Sequence, residues 1–320
     1  MRLPLLLAVI VAGALLGAGG CTAWRIGEAR ALAQQSTPLQ HTPADATLRL
    51  LIVGDSTGVG TGASAPLASL AGLLARDYPR LWIENRSRDG ATFAGTAEQL
   101  ARNGSFDIVL VLAGGNDVIR LRAADALRAD IERTVVLARE RAEVVVLMPA
   151  GNVGNAPFFL PPLSWEMTRR ARLLHDMVRD VAQRRGVTYV NLFHARDDDP
   201  FVQRPELHAR DGLHPSDAGY LEWYQTLLLQ ADLAERLSAA RAIDSPAPRR
   251  RSHNTSRAAG LTDLDGGGAP GAFMIVAGAW PSVSSLAALD LETQGWAAAR
   301  LTTAMAAHRC RKALEHGSAG

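Results

Sequence analysis

Between Leu48 and Ala240 the chain alternates short apolar runs with longer amphipathic stretches. The apolar runs are Leu48–Val53 (LRLLIV), Leu81–Glu84 (LWIE), Asp107–Ala113 (DIVLVLA), Glu143–Met148 (EVVVLM) and Val187–Phe193 (VTYVNLF). Their shortness, their Val, Ile and Leu content and stops such as Gly54, Asn85 and Gly114-Gly115 predict buried strands. Apolar residues at helical spacing predict helices over Ser64–Tyr78, Thr92–Arg102, Ala123–Arg141 and Ser164–Arg185, the last with Ser164 as its cap and Gly186 as its stop. A final helix is expected from Pro215, at the first helical position, to about Ala240. Continuous apolar strands separated by helices imply a parallel sheet covered on both faces. The expected fold is α/β: a three-layer α/β/α sandwich, doubly wound, around a central five-stranded parallel sheet.

The flanks break this rhythm. Arg2 precedes an uncharged run from Leu3 to Trp24, long enough at ~1.5 Å per residue to cross a ~30 Å hydrocarbon core. Residues 1–24 are therefore expected to be a signal anchor or signal peptide, with the N-terminus on the cytoplasmic side and Trp24 at the interface. Two other fates stay open, a lipoprotein signal ending at Cys21 and cleavage after Ala31-Leu32-Ala33. All three export the rest of the chain and attach or release it on the periplasmic face. Residues 25–47, polar from Gln34 and broken by Pro38 and Pro43, are expected to be a linker to a domain over residues 48–244. Residues 245–320, with PAPRRR, a Gly-rich stretch and an Ala-rich end, read as a disordered or partly helical tail.

Composition removes some function classes. The formal net charge of +2 gives no argument for nucleic acid, and the uncharged N-terminal segment makes a membrane an expected partner. Lys312 is the only lysine, so no lysine-dependent phosphate loop can lie in the main body of the chain. Cys21 and Cys310 lie at opposite ends and give no zinc spacing and no disulfide framework.

Four short motifs each follow their own predicted strand, so a parallel sheet would gather them at one edge. Ser56, in Gly54-Asp55-Ser56-Thr57, follows the first strand, and Gly90 lies in the loop after the second. Asn116, in Gly114-Gly115-Asn116-Asp117, follows the third, and Asp211-Gly212-Leu213-His214 follows the fifth. A serine hydroxyl needs a base, histidine is the usual one, and a carboxylate on its other nitrogen fixes the tautomer. Asp211 and His214, three apart across a turn, can face each other. The oxyanion of ester attack needs fixed donors. The amides of Ser56 and Gly90 and the side chain of Asn116 are the candidates, glycine allowing close approach of the main chain.

This pattern resembles the SGNH hydrolases, the GDSL-type esterase and lipase superfamily. Its GDS, glycine, GxND and DxxH blocks read here as Gly54–Thr57, Asn85–Thr92 around Gly90, Gly114–Asp117 and Asp211–His214, in the family's order, over about Leu48–Ala240. Thr57 stands where the family name has leucine. The resemblance implies Ser56 as nucleophile, His214 as base and then acid, Asp211 as its partner, and Ser56, Gly90 and Asn116 as the oxyanion hole, with no metal and no organic cofactor. It also implies a serine esterase working through an acyl-enzyme on a small-molecule or lipid ester, with alternatives in O-acetyl ester removal or acyl transfer on envelope glycans, or a non-catalytic binding module on the same fold.

Other features carry less. Gly58-Val59-Gly60-Thr61-Gly62 misses the dinucleotide-loop spacing, and Asp197-Asp198-Asp199 lacks the spaced ligands of a calcium loop. Asp55 and Asp117 are expected to bond loop N–H groups, and His175 to be a surface or packing residue of its helix. Nothing forces a role on His194 or His208. The long apolar loop over residues 152–165 follows a strand at the same edge, so Phe158, Phe159 and Leu160 are expected either to line a substrate pocket or to pack beneath the loop.

Overall fold

The computed structural model describes residue 20 and residues 22–241. The anchor expected within residues 1–24, nearly all of it, and the tail of residues 245–320 lie outside the described residues. No helix among the described residues is long and apolar enough to cross a membrane. The chain divides into a unit of residues 1–243 and one of residues 244–320, and the described fold belongs to the first.

Five strands form one sheet: β1 (Leu48–Gly54), β2 (Leu81–Asn85), β3 (Ile108–Leu112), β4 (Val144–Leu147) and β5 (Thr188–Tyr189), in the order β2-β1-β3-β4-β5. Every pairing is parallel, with Leu50 opposite both Ile83 and Ile108 and Val109 opposite Val145. Alternation along the strands splits the core in two. Leu51, Val53, Val109, Val111, Val145 and Leu147 pack under the helices α4 (Phe93–Leu100), α6 (Ala124–Arg139) and α7 (Leu163–Arg185). Leu50, Ile52, Ile108, Leu110, Leu112 and Val146 face α3 (Leu70–Asp77), α9 (Asp217–Gln230) and α10 (Leu233–Arg236). This is the expected three-layer α/β/α sandwich. The chain leaves β1 for β2 on one side and β3 lies on the other, so the crevice at the ends of β1 and β3 is the switch point where such sheets hold ligands.

Departures from the expected elements have local causes. β5 keeps only two of the seven residues expected, because Gln230 takes both the N–H and the carbonyl of Asn191 where a ladder would continue. Ser164 does not cap α7; the helix already turns at Pro162, and the Ser164 N–H donates to the Leu160 carbonyl. Gly186, with φ of 64°, does stop it. Pro215 lies one residue before the cap of α9: its main chain bridges to His208, and Ser216 accepts from the Gly219 N–H as the true cap. The expected run to Ala240 breaks at Asp232, whose φ is 50°. Two short helices follow strand ends, α2 (Ser56–Val59) after β1 and α5 (Gly115–Ile119) after β3, and α8 (Pro200–Gln203) lies between β5 and α9.

The stretch expected as a linker is attached to the body. Residues 22–35 form a helix, α1, with Leu32 buried. Beyond it His41 pairs antiparallel with Ile83, and Gln40 exchanges bonds with both main-chain groups of Asn85. A polar, proline-broken segment thus extends the edge beside β2, which its composition did not reveal.

Gly54 ends β1 where no side chain fits. Its φ is 150°, and a Cβ there would lie 1.8 Å from the Leu112 carbonyl oxygen. Gln99 of α4 clamps the same residue, accepting from its N–H at 2.8 Å and donating to its carbonyl at 2.8 Å. Gly54→Ala is therefore expected to cost about 3 kcal/mol or more, lowering the melting temperature by roughly 6–12 °C. Unfolding followed by circular dichroism measures this, and an unchanged transition would refute the close approach.

Candidate active site

The turn after β1 begins with the Asp55 N–H donating to the Leu112 carbonyl at 2.8 Å. Asp55 then caps α2, its Oδ1 accepting from the N–H and hydroxyl of Thr57. Ser56 is left as the first residue of a short helix at the sheet edge. Asn85 holds that helix from below through Gly58, donating to its carbonyl at 2.7 Å. The glycines that follow have structural uses. Gly60 closes α2 with φ of 94°, and a Cβ on Gly62 would strike the Pro215 carbonyl and the His214 side chain.

The Asp211–His214 turn comes from the far side. One carboxylate oxygen of Asp211 accepts from the N–H groups of Leu213 and His214. The other meets His214 Nδ1 at 2.6 Å. His214 Nε2 lies 2.9 Å from Ser56 Oγ. Asp211 is fully buried, whereas Ser56 is only partly covered. The Nδ1–H donates to Asp211, leaving Nε2 free to accept from the serine hydroxyl. Burial pushes the Asp211 carboxyl up, but the imidazole and the two backbone N–H groups outweigh it and hold it below its usual value.

Gly90 and Asn116 reach the same cavity. Gly90 has φ of 75°, and its carbonyl accepts from Arg120 at 2.8 Å, which fixes the loop. Among the described residues, no protein acceptor bonds the Ser56 N–H, the Gly90 N–H or the Asn116 side-chain amide. Three donors in one cavity with Ser56 and His214 are what an oxyanion requires.

The cavity encloses about 590 Å³. Phe158 lines it, as expected of a pocket residue. Phe159 and Leu160 do not. Phe159 is buried in the core, edge-on to Phe158 at 4.9 Å between ring centres, and Leu160 is exposed. The Phe158 N–H donates to the Gly212 carbonyl, which turns this one ring toward the site and its neighbours away. His194 and His208 also line the cavity, as do Ile26, Ala29, Arg30 and Ala33 of α1, a wall that sequence reasoning missed because it lies in the expected linker.

Asp55 and Asp117 bond main-chain N–H groups at helix starts rather than in loops, Asp55 that of Thr57 in α2 and Asp117 that of Phe93, the first residue of α4. Asp199 caps α8 and accepts from Asn155. His175 is a packing residue, not a surface one. Its Nε2 donates to the Ala150 carbonyl and its Nδ1 accepts from the Tyr189 hydroxyl.

This fold and site define a class, the serine hydrolases that act on ester bonds. The chain belongs to the GDSL-like lipase/acylhydrolase family, whose model matches residues 52–221, more than half of it. Comparison with curated proteins found no match. Among solved structures it is similar to LAE5, an α/β hydrolase enzyme from the metagenome of Lake Arreo, Spain (22% identity, 58% of this chain and 96% of that one, TM-score 0.46). It is also similar to Axe2, an acetylxylan esterase from Geobacillus stearothermophilus (20%, 59% and 96%, TM-score 0.46). A third is TesA (22%, 59% and 99%, TM-score 0.46).

Four buried groups set an acid window. Burial raises Asp55 and Asp117 to about 6 and lowers His175 and His208 to about 4. The unfolded references are about 3.9 for Asp and 6.5 for His. Between pH 6 and 4 the folded chain keeps protons on the two aspartates that the unfolded chain has shed, so these two favour the fold as pH falls. Over the same range the unfolded chain protonates histidines that the fold holds neutral, which opposes it. Asp55→Asn removes one favourable contribution and is expected to steepen the fall in melting temperature from pH 6 to 4, while His175→Gln is expected to flatten it. A slope in Asp55→Asn equal to that of the parent would contradict this balance.

Proposed function

We propose that the chain hydrolyses carboxylic esters of the lipid, lysophospholipid, thioester or aryl class through an acyl-enzyme on Ser56. The observation that carries this is the continuous chain from Ser56 Oγ to His214 at 2.9 Å and from His214 to Asp211 at 2.6 Å, opening into a cavity with three free donors. His214 Nε2 takes the hydroxyl proton as Ser56 Oγ attacks the carbonyl carbon. The oxyanion is received by the N–H groups of Ser56 and Gly90 and by the Asn116 amide. The imidazolium formed is stabilised by Asp211, then gives its proton to the leaving oxygen or sulfur as that bond breaks. Water then attacks the acyl carbon as His214 takes its proton, and His214 returns that proton to Ser56 Oγ as the acyl–Ser56 bond breaks and the carboxylic acid leaves. Phe158 and the apolar part of the cavity suit an alkyl or aryl substituent. Support for export and membrane attachment comes from the Leu3–Trp24 run of the sequence.

Hydrolysis of a p-nitrophenyl ester series by the full-length chain tests the reading. Ser56→Ala is expected to abolish turnover. Asn116→Ala is expected to lower kcat by about 10²–10³, the scale for one oxyanion donor. Turnover that survives in Ser56→Ala would remove the nucleophile assignment. A folded parent chain inactive on every simple ester but active on acetylated glycans would move the substrate to envelope polymers.

A further inference from the structure

Helix α1 presents two faces. Arg25, Glu28 and Leu32, at i, i+3 and i+7, form the one that meets the body. Arg25 and Leu32 are buried, and Glu28 pairs with Arg210 at 2.5 Å, next to the catalytic turn. Ile26, Ala29, Arg30 and Ala33 form the other, and all four line the cavity that holds Ser56 and His214. Three of these four are apolar, and Phe201 and Trp223 line the same cavity.

The seat is poorly satisfied. Among the described residues, Trp24 Nε1 is buried with no hydrogen-bond partner, and so are both ring nitrogens of His208. His208 is close enough to Arg25 to feel its charge. Each orphaned group carries a desolvation penalty that water would remove. Among the described residues, the Glu28–Arg210 pair is the only ion pair joining α1 to the body, and it is partly exposed, so it adds little. Apolar contact holds the helix down, while the unpaired polar groups of Trp24 on α1 and His208 on the body favour release.

We propose that α1 is a movable wall of the substrate cavity, whose inner face at Ile26, Ala29 and Ala33 receives the alkyl part of the ester and sets its length. Seated, it encloses the alkyl group against Phe201 and Trp223. Lifted, it opens the cavity and lets water reach His208 and Trp24. This rests on the esterase reading for its substrate class, but the wall can be tested apart from turnover.

In the full-length chain, Ala29→Phe and Ala33→Phe fill the cavity from α1. Both are expected to lower the ratio of kcat/KM for an octanoyl p-nitrophenyl ester to that for the acetyl ester about tenfold or more, since pocket fit discriminates alkyl length on that scale. A matched series of acetate esters of longer alcohols tells whether the alkyl group is acyl or leaving group; loss in that series alone assigns α1 to the alcohol side. Unchanged ratios in both series, with Ser56-dependent turnover intact, would overturn the wall and leave the esterase reading standing. The second arm needs no turnover. Hydrogen exchange in full-length Ser56→Ala is expected to show amides of residues 22–35 exchanging faster than those of α9, and slowing several-fold with octanoate but not with acetate. Exchange in α1 as slow as in α9, or indifferent to octanoate, would overturn the movable wall even if no ester were ever turned over.

Discussion

The Leu112 carbonyl oxygen is the point on which the site turns. It accepts from the Asp55 N–H at 2.8 Å and stands where a side chain at residue 54 would have to go. β1 therefore ends against β3 with main chain on main chain, and the residues after it have no freedom to drift. Gln99 closes the arrangement from α4 by pairing both main-chain groups of Gly54. A buried amide satisfied at both ends is worth more as a locator than as a source of stability, because moving it would leave several buried polar groups unpaired at once. Ser56 inherits its position from this contact. Arg88 bonds the Gly54 carbonyl as well, so the loop carrying Gly90 is referenced to the same residue.

Asp211 is the second fixed point, and it does two jobs with two oxygens. One oxygen orders the turn through Leu213 and His214, and the other orients the imidazole. The turn in turn holds the loop that follows β4, because the Gly212 carbonyl accepts from Phe158. The nucleophile, its base and one wall of the cavity are thus linked through hydrogen bonds to main chain. A substitution that only removed the Asp211 charge would keep much of this geometry, whereas one that removed both acceptors would loosen the wall as well as the base.

Much of this was legible in the sequence, and for a physical reason. Ser56, Gly90, Asn116 and the Asp211–His214 pair each follow an apolar run, and a parallel sheet brings the ends of its strands to one edge whatever the helices do. What could not be read depends on contacts between distant residues. β5 is short because of Gln230, 39 positions away in sequence from Asn191. Phe159 reads like Phe158 in composition, and main-chain bonds to distant and local partners, Phe158 to Gly212 and Phe159 to Ala156, accompany the separation of the ring in the cavity from the ring in the core. The polar segment after Gln34 has the composition of a linker, yet His41 finds a strand edge at Ile83 and so belongs to the sheet. No local signal marks α1 as a wall of the cavity; its 3–4 spacing shows a helix with a face, and the face acquires a meaning only when Ser56 is placed opposite.

The buried carboxylates around the site show how a fold sorts identical groups by the donors it offers them. Asp117 accepts one N–H, from Phe93, and among the described residues its other oxygen has no hydrogen-bond partner, Arg122 standing 3.9 Å off as an ion-pair neighbour only. Asp55 accepts two donors, both from Thr57. Desolvation dominates at these two and raises both to about 6. Asp211 accepts three, one of them from an imidazole that gains charge during the reaction, and it alone of the three is held below its usual value. The donors and the neighbouring imidazole, rather than depth of burial alone, decide which carboxylate stays ionised under acid conditions, since Asp117 and Asp211 are almost equally hidden from water. The negative charge that His214 needs when it becomes a cation is thereby kept on the one residue that touches it, while its neighbours serve as acceptors that hold loops in place.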